Sequence, residues 1–108
     1  MTEKLFVYGT LGPNRPNAHI LEDIGGYWET ASVIGILKEE GWGAEMGYPG
    51  IILDPTGNRV EGFIFSSKHL SEHWKMLDDF EGDAYCRVIT KVTLSDGSMT
   101  DAYLYTLC

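Results

Sequence analysis

Residues 4–24 read KLFVYGTLGPNRPNAHILEDI. The first five form a continuous apolar run, which predicts a strand buried on both faces rather than one that alternates between core and water. GTLGPNRP (9–16) follows as a Gly/Pro-rich loop. NAHILEDI (17–24) reads as a short helix, stopped by Gly25 and Gly26. A doubly buried strand that empties into a glycine turn and then a helix requires a sheet with helices on its outer side.

Working outward, WETASVIGIL (28–37) is β-branched and aromatic enough for a second strand. EEGWGAEMGYPG (39–50) is glycine-rich and should be irregular, with a brief strand. IILD (51–54), PTGN (55–58) and RVEGFIF (59–65) read as a hairpin. Ser66 and Ser67 can cap a helix running to about Phe80. In YCRVITKVTL (85–94), Cys86, Val88, Val92 and Leu94 point one way, and Arg87, Lys91 and Thr93 the other. SDGS (95–98) is a hairpin turn, and MTDAYLYTL (99–107) is the last strand. The expectation is an α+β fold: a small mixed β-barrel of about six strands flanked by two or more helices, forming a single domain over residues 1–108.

Sixteen acidic against eight basic residues give a net charge of −8. Such a surface repels nucleic-acid phosphates and anionic membranes, so neither is an expected partner. No run approaches 18 apolar residues, and MTEKLFVYG is too short and acidic for a signal peptide, which makes a cytoplasmic location the expectation. Cys86 and Cys108 form no CxxC or metal-ligand spacing, and in a reducing compartment they are expected as free thiols.

LDDFEGDAYCR (77–87) crowds Asp78, Asp79, Glu81 and Asp83 around one helix end. On a helical wheel started at Leu70, Trp74 and Leu77 fall within about 40° of it and Glu81 lands at about 20°, inside the apolar stripe. Asp78 and Asp79 point away. Gly82 is placed to end the helix, which leaves Glu81 in its last turn and directed inward. Apolar surroundings and the negative end of the helix dipole both favour a protonated carboxyl and a raised pKa, suited to general acid/base work. The plainer alternatives are a helix that frays before Glu81, or simple pairing of Glu81 with Arg87.

HLSEH (69–73) matches a zinc-peptidase pattern, with histidines four apart on one helix face. It lacks a distant third ligand, and His69 would sit in the first helical turn. A pair of exposed histidines is the preferred reading, and no metal is expected.

FVYGTLGPNRPNAHIL (6–21) resembles the opening of γ-glutamylcyclotransferase-like proteins, which include γ-glutamylamine cyclotransferase and AIG2-like proteins. GYPGIILD, VEGFIF, LDDFEGDAYCRVITKV and the terminal YLY are similar to later segments of the same family, in the same order. The resemblance implies a small barrel with a pocket at the YGTL loop, and the glutamate after phenylalanine in the LDDFEG segment, Glu81, as the catalytic acid/base. It implies release of 5-oxoproline from a γ-glutamyl substrate through attack of the substrate's own α-amine, so no cofactor is expected. Tyr8, Gly9, Thr10 and Leu11 would bind substrate, Gly9 permitting close approach and the turn offering backbone N–H donors. Tyr8 and Leu11 can equally be strand-end core packing, and Tyr48, Tyr85, Tyr103 and Tyr105 can be pocket or barrel filling. Gly12-Pro13 stands where the family usually has a basic residue, and one residue separates Asn17 from His19, departures that bear on substrate choice. The leaving amine and the oligomeric state are left open. The competing functions are a non-catalytic binding module for a γ-glutamyl-like small molecule, and an acidic partner for a basic protein.

Overall fold

A computed structural model describes residues 2–39 and 50–108. The elements are β1 (Glu3–Val7), α1 (Ala18–Ile24), β2 (Tyr27–Lys38), β3 (Gly50–Leu53), β4 (Asn58–Ser67), a 3-10 turn (Leu70–Glu72), α2 (Trp74–Glu81), β5 (Tyr85–Leu94) and β6 (Met99–Leu107). The brief strand expected between Glu39 and Gly50, and Tyr48 with it, lie outside the described residues, except that Gly50 opens β3.

Strands pair in the order β3-β2-β4-β1-β6-β5, and β5 returns to β2 through Ala31↔Leu94 and Ser32↔Thr93. Five strands therefore close into a barrel, with β3 added outside on the far half of β2. The β1–β6 pair is parallel and the other pairs are antiparallel, which makes the barrel mixed as expected.

The apolar run of β1 is explained by two cores. Phe6 points into the barrel with Val33, Val60, Ile64, Val92 and Leu104. Leu5 and Val7 point outward, into a layer formed with Leu11, Leu21, Phe65, Leu70, Leu77 and Tyr105. Strand alternation thus serves a core on each face, and the helices cover the second one. The SDGS hairpin forms as read: β5 and β6 pair from Tyr85↔Leu107 to Thr93↔Met99, with Gly97 at φ 87° in the turn.

Three expectations are corrected. Among the described residues, β3 and β4 do not pair with each other; each pairs with β2, on opposite sides. The PTGN turn carries the chain across β2 at Gly35, where a Cβ on Gly57 would collide with the Gly35 backbone. Both strands run antiparallel to β2 and therefore in the same direction, so the turn residues mark a crossing rather than a reversal. Second, Ser66 and Ser67 belong to β4, and the helical segment is broken at His73 (φ −122°) between the 3-10 turn and α2. Ser67 Oγ still accepts from His69 N–H (3.0 Å) while donating to the Gly25 carbonyl (2.6 Å), so it anchors the start of the turn.

Third, Cys86 and Cys108 are joined in a disulfide rather than free. The β5–β6 register sets Cys86 opposite Thr106, and Cys108 N–H donates to the Ala84 carbonyl (3.0 Å), which brings the two Cα atoms to 5.4 Å. No cysteine spacing encodes this; only strand register does. Closing a loop with a separation of 22 residues restricts the unfolded chain, and reduction should lower unfolding stability by about 3 kcal/mol. Urea titrations with and without a dithiol check this, and coincident midpoints would show that the crosslink contributes nothing.

Candidate active site

Glu81 is the last residue of α2, and Gly82 follows it at φ 84°, where its N–H donates to the Asp78 carbonyl (3.0 Å). A residue with a Cβ is strained at that φ, so glycine fixes where the helix stops and how Glu81 is presented. Leu77, fully buried, seats this short helix against the outer core. Burial pushes the Glu81 carboxyl up to about 7. Glu81 is half-buried, and the wheel that turned it inward crossed the break at His73.

Tyr8 follows β1. Its hydroxyl donates to the Tyr105 carbonyl (2.7 Å) and accepts from Ile51 N–H (3.0 Å), tying β6 and β3 to the first strand. Burial lifts this hydroxyl far above the ordinary phenol value; the Ile51 N–H pulls it back in part, and the charges of Glu81 and Tyr85 add to the rise. Tyr8 and Glu81 are thus brought together, as expected. Beyond Tyr8, the loop is held by Gly12 N–H on the Gly9 carbonyl (3.1 Å) and Asn17 N–H on the Thr10 carbonyl (2.8 Å). Among the described residues, no backbone carbonyl accepts from the N–H groups of Gly9, Thr10 or Leu11. Thr10 and Leu11 are only 6% and 4% exposed, and the Leu11 side chain packs in the outer core, which is the packing role weighed for it.

Asp78, expected to point away from the apolar stripe of the helix, is half-exposed but not idle. It receives Arg87 Nε (2.9 Å) and Nη2 (3.3 Å) together with the Tyr105 hydroxyl (2.7 Å). Burial opposes its charge, but the bonds from Arg87 and Tyr105 and the Arg87 charge outweigh that and hold the carboxyl below the usual range. Arg87 therefore pairs with Asp78, not with Glu81, and its guanidinium lies 4.4 Å from the Trp74 ring centre and 5.4 Å from that of Tyr103. For the Tyr105 hydroxyl, burial comes first in raising its pKa, followed by the bond to Asp78 and the Asp78 charge. Arg87 opposes these and Glu81 adds to them. The available signal was the parity of Tyr103 and Tyr105 in β6, which turns both rings toward α2.

The HLSEH histidines do not share one continuous helix. The His69 ring contacts Glu72 (3.2 Å) and the His73 ring contacts the His69 carbonyl (2.8 Å). Among the described residues, no three His, Cys, Asp or Glu side chains converge in a way that could hold a metal ion, and no helix is long and apolar enough to cross a membrane.

The site thus joins a small closed barrel to a half-buried carboxyl at a helix end, near the residue that follows the first strand. The chain belongs to the gamma-glutamyl cyclotransferase, AIG2-like family, whose model matches residues 5–108. Among solved structures it is similar to YkqA from Bacillus subtilis (26% identity, TM-score 0.75), covering 99% of this chain and 36% of that one. It is also similar to an AIG2-like protein from Mus musculus (25% identity, TM-score 0.75; 99% and 78% covered). An Arabidopsis thaliana protein at 20% identity shares the fold (TM-score 0.75; 99% and 62% covered). The chain thus spans little more than a third of YkqA and under two thirds of the Arabidopsis protein. No curated protein matches the chain by sequence.

Proposed function

We propose that this chain is a γ-glutamylcyclotransferase-type enzyme that converts a γ-glutamyl amine or amide into 5-oxoproline and the free amine, with Glu81 as the general acid/base. The observation that carries this reading is the Glu81 carboxyl, held by burial near pH 7 beside Tyr8. A group so poised both accepts and returns a proton at neutral pH.

The substrate's α-ammonium gives a proton to Glu81, and the freed nitrogen attacks the γ-carbonyl carbon. A five-membered ring closes and the carbonyl oxygen becomes negative. The backbone N–H groups of the Gly9–Leu11 turn serve as donors to that oxygen or to the substrate carboxylate. Glu81 then returns its proton to the leaving nitrogen. The ring nitrogen gives its second proton to the carboxylate as the old C–N bond breaks and the carbonyl re-forms. The departing amine takes that proton, which restores the ionised carboxyl. Nucleophile and electrophile belong to one molecule, so the enzyme needs only to orient the chain and relay protons from the attacking nitrogen to the leaving one.

A panel of γ-glutamyl amines, γ-glutamyl dipeptides and glutathione, followed by mass spectrometry of 5-oxoproline, tests the proposal and identifies the leaving amine. Turnover of at least one class is expected. Binding of 5-oxoproline with no turnover across the panel would mark the chain as a binding module instead.

A further inference from the structure

Resting on the assignment of Glu81 as the acid/base, we propose that Asp78 and Arg87 are its positioning residues: Asp78, one helical turn before Glu81, holds the Arg87 guanidinium away from it.

Asp78 stands one helical turn before Glu81, and Arg87 reaches it from β5 through two hydrogen bonds. Among the described residues, this is the ion pair that Arg87 makes. The charges of Asp78, Arg87 and Glu81 all act on the Tyr105 hydroxyl, so the three groups share one neighbourhood. The Trp74 and Tyr103 rings flank the guanidinium and fix its plane, while the Tyr105 hydroxyl fixes the carboxylate that receives it.

Tyr8, just after β1, and Tyr85, on β5, lie close to one another, and from β1 Glu3 accepts Trp74 Nε1–H (3.4 Å) beside the ring that stacks on Arg87. On α2, Asp79 is turned to solvent and paired with Lys75 (2.9 Å). Arg87 is a cation of this neighbourhood, and an opposite charge brought close to a carboxylate depresses its pKa. Without Asp78, Arg87 would be drawn to Glu81, converting a neutral-pH base into an ordinary ion-paired acid.

The charge logic makes paired predictions of opposite sign. In Asp78→Asn the hydrogen-bonding shape is kept but Arg87 is uncompensated, so the Glu81 midpoint should fall by about half to one pH unit. In Arg87→Met the Asp78 charge is uncompensated one turn from Glu81, so the midpoint should rise by a similar amount. The double variant should return toward wild type, and Tyr105→Phe, which leaves every charge in place, should move the midpoint less than either single variant. The readout is the carbon-13 shift of the Glu81 side-chain carboxyl against pH, assigned by its loss in Glu81→Gln, with near-ultraviolet circular dichroism confirming the fold of each variant. The kcat/KM profile of any accepted substrate should track the same midpoints. Shifts of the same sign in both single variants, or no shift in either, would overturn the proposal, and a misfolded variant passes that decision to the other single variant and the double. Should the midpoints move as stated while no 5-oxoproline is ever released, the charge arrangement stands and the enzymatic reading fails.

Discussion

Glu81→Gln is expected to lower kcat/KM for 5-oxoproline release by at least about a hundredfold, since one group serves as both base and acid. The same change should make the protein more stable at pH 8. The sign follows from burial, which raises the carboxyl from its ordinary 4.5 to about 7 in the folded chain. Between those values the unfolded chain releases its proton while the folded chain retains it, so stability falls as pH rises. Above about pH 7 that penalty is complete, at most about 3 kcal/mol; below about pH 4.5 both states are protonated and it vanishes. Glutamine never ionises and escapes the penalty. Urea unfolding of both proteins at pH 5 and pH 8 should show the variant gaining stability only at the higher pH. Wild-type kcat/KM should climb with pH through about 7 as the base form appears. A variant that keeps its activity would remove Glu81 from the mechanism, and a stability difference independent of pH would contradict its burial.

Leu77→Ala should be the most damaging single change in α2, costing about 2–5 kcal/mol. The helix has eight residues, too few to persist in isolation, and Leu77 is its one fully buried side chain. Truncation removes contacts with the outer core and loosens the end that presents Glu81. Activity should therefore fall even at temperatures where the barrel remains folded. Met76→Ala on the same helix is the control: that side chain is 41% exposed, and its loss should cost within about 0.5 kcal/mol. Denaturant midpoints decide the matter, and equal costs at the two positions would refute the packing argument.

The contrast between those neighbours shows what could be read from the chain alone. Burial of Leu77 followed from spacing, because helical periodicity is a property of consecutive residues. The doubly buried β1 and the SDGS hairpin were legible for the same reason. What escaped was partnership between distant segments. The role of Asp78 depends on Arg87 and Tyr105 arriving from two strands, and the crosslink of Cys86 to Cys108 depends on the register of those strands. The PTGN turn looked like a hairpin because local turn chemistry does not reveal a strand lying between its arms. Leu11, inside the loop that carries the family likeness, proved to be core filling.

The parallel pairing of β1 with β6 has a consequence for biosynthesis. Tyr8 waits for an acceptor, the Tyr105 carbonyl, that is translated 97 positions later. Until β6 has left the ribosome, the first strand has one neighbour instead of two, and the outer core that seats Leu77 lacks Tyr105. A nascent chain can form the β2–β4 ladder early, yet it cannot assemble the surroundings that tune Glu81. The surroundings of Glu81 therefore arrive late, with the slow folding expected when contacts join segments far apart in sequence.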